Sequence, residues 1–243
     1  MKLTTRDFEI LEFLSSQGVA TPAQIRERFF SSRSSCDGRL HILKSVELLE
    51  SCSVMDLKAV SNYSIKSLPE ILGVEKSDLW KYRVYRIGPK FRNRRLGNEF
   101  LADSRMWKHQ IQLNRMRSHC EQLFPKSTVL TDSDIRQEWA RLGGADDVVI
   151  PDLVIRKGSL QLAIELERTL KSSRLYFERF QAYRRSSYSH VIYFCETETI
   201  YKKVAELSAN FKKIAVANLW MKDFIFQERG GFKLISEFIT LPA

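Results

Sequence analysis

The feature of this sequence that most restricts its fold lies between residues 150 and 167, where two apolar segments flank a short polar turn. Residues 150–155 (IPDLVI) predict a strand, with Pro151 near its start, where no backbone N–H is needed for pairing. Residues 156–159 (RKGS) predict a tight turn, and residues 160–166 (LQLAIEL) predict the partner strand. The sequence therefore predicts a β-hairpin that contributes apolar strands to a sheet.

Three acidic residues of this hairpin are the candidate chemical groups. Because alternate residues of a strand share a face, Glu165 and Glu167 lie on the face away from the alternating Leu and Ile residues. An antiparallel partner can bring Asp152 beside them, and three close carboxylates are costly unless positive charge neutralises them. Mg²⁺ or Mn²⁺ does so with oxygen ligands. The alternative is three solvated acids on an edge hairpin, but the flanking apolar residues favour central strands and a metal site.

The first 45 residues predict three short helices. Residues 5–16 carry apolar side chains at helical spacing, Thr21 and Pro22 begin a second helix that reaches residue 30, and residues 34–45 form the third. Residues 51–60 and the alternating strand 82–87 follow as a wing, which is the order of a winged helix-turn-helix. The alternative is that three small helices are only a common packing solution. The candidates for the exposed face of the third helix are Ser34, Ser35, Asp37, Arg39, His41 and Lys44.

The positive charge of the chain is concentrated in one segment. The formal net charge is +10, and residues 76–117 contain twelve Lys or Arg against three acidic residues. Aromatic residues are interleaved with these charges, which is typical of a surface that binds a polyanion. The alternative is a solvated basic face without a function. The predicted DNA-binding residues are Arg39, Lys44, Arg83, Arg86, Arg92, Arg94, Arg95 and Arg174.

The rest of the chain predicts an α/β domain, so that the whole protein is α+β. A winged helix-turn-helix domain is expected over residues 1–95, and a restriction-endonuclease-like α/β domain with a mixed sheet over residues 96–243. The second domain is predicted to contain helix 96–123, strand 127–131, a helical turn within 132–144, the hairpin, a basic helix 169–186, strand 190–195, helix 197–211, strand 213–217 and final strands within 219–226.

The spacing Pro151-Asp152, turn, strand, Glu165-x-Glu167 resembles the PD-(D/E)xK nuclease superfamily, to which many restriction endonucleases belong. In that superfamily the Asp and the first acid bind the metal, and a Lys two residues later polarises the scissile phosphate or the attacking water. The resemblance implies that Asp152 and Glu165 are metal ligands. Glu167 stands where the Lys is expected. Either Glu167 adds a third ligand, or Lys171 or Arg168 supplies the positive charge.

A narrower resemblance covers nearly the whole chain. The opening TTRDFEILEFL from Thr4, the segment ELERTLKS from Glu165, and the following RLY and Tyr183 resemble the replication-relaxation proteins and the MobC-type relaxases of mobilizable bacterial plasmids. These proteins pair an N-terminal winged helix with a nuclease-like domain. The resemblance implies a metal-dependent endonuclease that nicks one DNA strand at a plasmid transfer origin. It also implies an accessory mobilization or coupling protein as a partner.

Several further residues are candidates for this chemistry. Lys171 is the predicted catalytic or phosphate-polarising cation, beside Asp152, Glu165 and Glu167. The basic residues of the helix that follows can hold the phosphate backbone; they are Lys171, Arg174, Arg179, Arg184 and Arg185. Glu138, or less favourably His109, is expected to complete the site. Tyr176 and Tyr183 could act as nucleophiles, but packing or stacking on DNA is the favoured role of both.

Other mechanisms lack their motifs. No two histidines have the His-x-His spacing of the relaxases that use a histidine metal site, and no GxxxxGK[ST] phosphate loop or GxSxG elbow is present. Water is the expected attacking group, although an enzyme hydroxyl is the open alternative. The competing function is a non-catalytic winged-helix DNA-binding regulator or plasmid replication initiator, whose nuclease-like domain only binds DNA.

The sequence also predicts where the protein works. No apolar run approaches the roughly 18–20 residues of a membrane span. The first ten residues contain acids where a signal peptide needs an apolar core. The four cysteines are scattered without a CxxC pair, which fits a reducing compartment. A cytoplasmic protein without membrane insertion is therefore expected.

Overall fold

The computed structural model describes residues 2–53, 83–92, 107–141 and 149–218. The chain divides into two compact units, Met1–Arg115 and Met116–Ala243. The fold is mixed α/β, with a two-stranded antiparallel sheet in the first unit and a five-stranded mixed sheet in the second. None of the helices within these ranges is both long and apolar enough to cross a membrane.

Three helices and a strand pair make up most of what the structure describes of the first unit between residues 2 and 92. Its elements are α1 (Thr5–Gln17), α2 (Pro22–Phe29), α3 (Arg33–Ser45), β1 (Leu49–Ser53), β2 (Arg83–Ile87) and the short α4 (Pro89–Arg92). These bounds agree with the three predicted helices and with the predicted strand 82–87. The strands β1 and β2 pair in antiparallel register from Leu49 opposite Ile87 to Ser53 opposite Arg83.

Local side-chain chemistry sets the ends of these helices. Thr4 caps α1 and forms a capping box with Asp7, so the helix begins one residue earlier than a cap at Thr5 would place it. Gly18 ends α1 with a φ of 74°, a left-handed conformation that favours glycine. Thr21 caps α2 in the same way through Gln24. These signals are local, so the sequence predicts the stop at Gly18 and the cap at Thr21, but for α1 it favours a cap at Thr5 and the observed cap is Thr4.

The core of the first unit joins all three helices to the strand pair. Buried side chains of α1, α2 and α3, including Leu14, Ile25 and Leu40, form one cluster with Leu49 of β1. The segment between α1 and α2 also pairs with the strands, because the backbone of Ala20 exchanges hydrogen bonds with Tyr85 at 2.8 and 3.0 Å. A third short extended segment is thus added to β2.

The second unit is built around its sheet. Helix α5 (Trp107–Leu123) crosses the boundary between the units in sequence, and the remaining elements are β3 (Thr128–Thr131), α6 (Asp132–Arg141), β4 (Leu153–Lys157), β5 (Leu160–Glu167), α7 (Ser173–Arg185), β6 (His190–Cys195), α8 (Glu198–Ser208) and β7 (Ile214–Asn218). The predicted order of helices and strands is therefore observed from residue 107 to residue 218.

The strand order in this sheet is β3-β4-β5-β6-β7, so β5 is the central strand. The pairs β3–β4 and β4–β5 are antiparallel, whereas β5–β6 and β6–β7 are parallel. The tight turn between β4 and β5 uses Gly158 at a φ of 59°. Strand β4 begins at Leu153 rather than at residue 150, since Pro151 has no backbone N–H to donate to a ladder.

Parts of the predicted fold lie outside the described residues. These are residues 96–106 of the first predicted helix of the second domain, the expected strands within 219–226, and the region 54–82 between β1 and β2.

Candidate active site

The central strand β5 carries two buried acids on one face. Glu165 and Glu167 are only 5% and 3% exposed. They lie opposite Tyr193 and Cys195 of the parallel strand β6, and α7 covers this face with buried aromatic side chains. Burial of this degree excludes the alternative of solvated acids on an edge hairpin, because charged residues are rarely buried without partners.

The third acid, Asp152, immediately precedes β4 and lies opposite Glu165. Leu153 pairs with Ile164 in antiparallel register, so the preceding residue, Asp152, faces Glu165. The Oδ2 atom of Asp152 accepts a hydrogen bond from the backbone N–H of Leu166 at 2.7 Å. Asp152 and Glu165 are therefore brought together, as the alternation along the hairpin predicts.

Two side chains of α7 bind Glu165. Arg179 donates from Nη2 to Oε1 at 2.7 Å and from Nε to the same oxygen at 3.2 Å. The hydroxyl of Tyr183 also donates to Oε1. Burial and the nearby charge of Asp152 raise the pKa of Glu165 to about 7, although Arg179 and Tyr183 oppose this rise. Within the described ranges, no donor contacts Oε2 of Glu165.

Glu167 has a different partner. The ammonium group of Lys171 binds its carboxylate, and the exposed fraction of the Lys171 side chain is 37%. Arg168 instead binds Glu196 at 2.9 Å, so Lys171 is the basic residue that accompanies Glu167. The sequence left both possibilities open, and only the path of the chain after β5 separates them.

Tyrosines line the covered face. Tyr176 is 1% exposed, and its hydroxyl oxygen accepts a hydrogen bond from the backbone N–H of Lys171 at 3.4 Å. Tyr183 is fully buried against Glu165, which together with burial raises its pKa. Both rings pack in the core, which agrees with the favoured expectation for them. The hydroxyl of Tyr193 is also buried, and it makes no hydrogen bond within the described residues.

The structure gives Arg179 a different role from the predicted binding of phosphate, because Arg179 binds the carboxylate of Glu165 inside the domain. Tyr183 packs in the core and binds the same carboxylate. The available signal is the spacing of Tyr176, Arg179 and Tyr183, at positions i, i+3 and i+7 of one helix. Residues at this spacing share a face.

Among the three predicted acids, two have carboxylate oxygens that suit a hard divalent cation. Asp152 and Glu165 face each other, burial and then the charge of Asp152 raise the pKa of Glu165, and Oε2 of Glu165 accepts no hydrogen bond within the described residues. Glu167 is neutralised by Lys171 instead. No group of three or more His, Cys, Asp or Glu side chains in the described part of the chain is placed to hold a metal ion. The pair therefore fits a cation better than the predicted set of three.

Glu138, the residue first expected to complete the site, binds a different partner. Glu138 of α6 forms a bidentate ion pair with Arg156, both of its hydrogen bonds being 3.1 Å long. Arg156 pairs with Gln161, which is four residues before Glu165 and so about 13 Å away along β5. His109 belongs to the first compact unit.

The predicted DNA-binding residues differ in their availability. Lys44 is exposed on α3, but Arg39 binds the fully buried Asp7, with a distance of 2.6 Å from Nε to Oδ1. Arg83 is exposed and donates to Ser51, whereas Arg86 binds Glu50 at 2.7 Å. The exposed Arg174 pairs with Glu178. Arg94, Arg95 and the side chain of Arg92 lie outside what the structure describes.

Comparison of the chain with protein-family models, with curated proteins and with solved structures found no match.

Proposed function

We propose that this protein is a metal-dependent DNA endonuclease that nicks one strand of a plasmid transfer origin in the bacterial cytoplasm. The observation that carries the proposal is the facing pair Asp152 and Glu165, at the end of a central antiparallel hairpin. The order α5, β3, α6, β4, β5, α7 and β6 around this pair supports the assignment to a PD-(D/E)xK core. The resemblance of the sequence to MobC-type relaxases supplies the substrate and an accessory mobilization protein.

In this proposal Asp152 and Glu165 hold Mg²⁺ or Mn²⁺. The cation would stabilise the negative charge that develops on the scissile phosphate. Arg179 and Tyr183 hold Glu165 through Oε1, which fixes the carboxylate and leaves Oε2 for the ion. The backbone N–H of Leu166 holds Asp152 in the same manner. The supporting contacts thus orient both ligands before the ion binds.

Lys171 is the proposed phosphate-binding cation of the site. It replaces the Lys that the superfamily places two residues after the first acid, where this chain has Glu167. The ion pair with Glu167 positions the ammonium group, and the partial exposure of Lys171 leaves it accessible to DNA. A Lys near a scissile phosphate acts as a point charge.

The first unit is proposed to hold the DNA as a winged helix. Three helices, the paired strands β1 and β2, and the bridge between Ala20 and Tyr85 support this assignment. Helix α3 presents an exposed polar side, which includes Lys44 and His41. A short helix with such a side is suited to the major groove.

The proposal is tested with supercoiled plasmid that carries the transfer origin, incubated with Mg²⁺ or Mn²⁺. We expect open circles with the unmodified protein and a loss of at least about 100-fold in nicking rate for Asp152→Asn and Glu165→Gln. Glu206→Gln, which changes an exposed acid of α8, is the matched control and should nick normally. Circular dichroism verifies that the variants fold.

A direct measurement of Mn²⁺ binding distinguishes a variant that has lost a metal ligand from one that is misfolded. Electron paramagnetic resonance of Mn²⁺ should show an ion bound by the unmodified protein and by Glu206→Gln, but weakened at least tenfold in Asp152→Asn. A protein that shifts the DNA band yet produces no open circles with either cation would contradict the proposed activity.

That outcome would favour a second function, a DNA-binding regulator or replication initiator. The observation on its side is that basic groups of the chain already neutralise the two buried acids: Arg179 binds Glu165 and Lys171 binds Glu167. A domain of this kind keeps its fold without a metal ion. Under this function, Asp152→Asn leaves DNA binding unchanged.

A further inference from the structure

A cavity lies on the same face of the sheet as the acids but at the opposite end of β5. Its volume is about 930 Å³, and Gln161, at the start of β5, lines it. This volume lies within the range of small-molecule sites, which is roughly 300–1,000 Å³. The cavity does not include Asp152, Glu165 or Glu167. Nothing in the proposed nicking chemistry uses it.

The lining of the cavity combines aromatic side chains with Arg side chains that have nitrogen atoms without a hydrogen-bond partner within the described residues. Trp139 and Tyr188 contribute aromatic surface to its lining. Arg156 lines it as well; Glu138 takes both terminal nitrogens of its guanidinium, but Nε is buried and has no hydrogen-bond partner within the described residues. A buried donor without a partner is costly, so its presence at a cavity points to a ligand that accepts a hydrogen bond.

Arg185 supplies a second positive charge to the lining. It is exposed and has no ion pair or hydrogen bond within the described part of the chain. Because Glu138 balances only Arg156, the charged groups of the lining sum to one positive charge. An anion is therefore favoured beside the aromatic surface.

We infer that this cavity binds a single nucleotide, whose base lies against Trp139 and Tyr188 and whose phosphate is held by Arg185. Base stacking on aromatic side chains tolerates any base, because every base has a π-face. The nucleotide has two sources, a free mononucleotide or an unpaired nucleotide of single-stranded DNA. Only the second source rests on the proposed function, since a nicked strand supplies unpaired nucleotides.

The inference is tested by calorimetric titration of the metal-free full-length protein with thymidine monophosphate. We expect saturable binding, and much weaker binding of thymidine or inorganic phosphate alone, because the ring and the phosphate each fill part of the site. Arg185→Gln should weaken the binding about tenfold, as should Trp139→Ala. Arg136→Gln is the matched control, since Arg136 is an exposed Arg of α6 that does not line the cavity.

A twelve-residue oligothymidylate, followed by fluorescence anisotropy, distinguishes the two sources. If Arg185→Gln weakens the binding of both the oligonucleotide and the mononucleotide, the natural source is single-stranded DNA. If it weakens the binding of the mononucleotide alone, the source is a free nucleotide. The inference is overturned if neither the oligonucleotide nor the mononucleotide binds, with the mononucleotide tested up to about 10 mM, which corresponds to roughly the weakest affinity of interest. Equal effects of Arg136→Gln and Arg185→Gln overturn it too, because they indicate non-specific attraction. Nucleotide binding without plasmid nicking would disprove the proposed function and leave this inference standing.

Discussion

At the scale of single residues, the carboxylates of β5 show how a neighbouring charge contributes to the pKa of a buried acid. Glu165 and Glu167 are two residues apart and equally buried, yet only Glu165 faces a second carboxylate, that of Asp152. The pKa of Glu165 rises to about 7, because burial and the charge of Asp152 outweigh the hydrogen bonds from Arg179 and Tyr183. A group that is costly to ionise and faces another acid is typical of a functional site.

This shift predicts how stability depends on pH in the metal-free protein. The pKa of Glu165 is about 7 in the folded state against an ordinary value of 4.5. Between these values the folded chain holds a proton that the unfolded chain releases, so the free energy of unfolding falls as the pH rises. The fall totals about 3 kcal/mol and ends above pH 7.

Urea denaturation in a chelating buffer, at intervals from pH 4 to pH 8, measures this dependence. The difference between the unmodified protein and Glu165→Gln isolates the contribution of Glu165 and should decrease across the window. A difference that stays constant from pH 4 to pH 8 would show that Glu165 titrates normally.

At the scale of elements, an ion pair holds α3 to α1. Its cation is Arg39, which the sequence predicts to bind DNA. Arg39 binds Asp7, which is fully buried at the first turn of α1. Burial by itself would raise the pKa of Asp7, but hydrogen bonds from Arg39 and Thr4 outweigh it and lower the pKa. The side chain of Lys44, in contrast, is exposed on the same helix.

The two residues of α3 should therefore differ in their effect on stability. Arg39→Ala is expected to lower the free energy of unfolding by about 3 kcal/mol, because it leaves the carboxylate of Asp7 buried and unpaired. Lys44→Ala should change it by less than about 0.5 kcal/mol. Thermal denaturation measures both, and adding Asp7→Asn to Arg39→Ala should restore part of the loss. Equal stability of the two single variants would contradict a stabilising role of the ion pair between Arg39 and Asp7.

At the scale of the whole molecule, the net charge of +10 favours association with a polyanion, and the proposed function therefore predicts how DNA binding depends on salt. Binding that neutralises phosphates releases counterions, so the affinity for duplex DNA should fall by about 10³-fold or more between roughly 50 and 200 mM salt. Lys44→Ala should reduce the slope of log affinity against log salt by about 1. Lys202→Ala, an exposed Lys of α8, is the control. An affinity that is unaffected by salt would rule out the phosphate contacts.

The sequence by itself determined the local elements of this protein. The cap at Thr21, the stop at Gly18 and the alternation along β5 act over a few residues, and the helices and strands lie close to where these signals place them. The cap of α1 is Thr4, one residue before the Thr5 that the sequence favours. The position of β5 at the centre of the sheet also followed from its apolar content. Such signals depend on neighbours in the chain, which are known from the sequence.

Only the tertiary structure decided which groups complete the site. Glu165 receives donors from α7, 14 and 18 residues further along the chain, and Lys171 rather than Arg168 turns back to Glu167. The cavity beside Arg185 likewise draws its lining from α6, β4, β5 and α7. These pairings depend on how a helix packs over a sheet, and the distances that this packing sets are independent of separation in sequence.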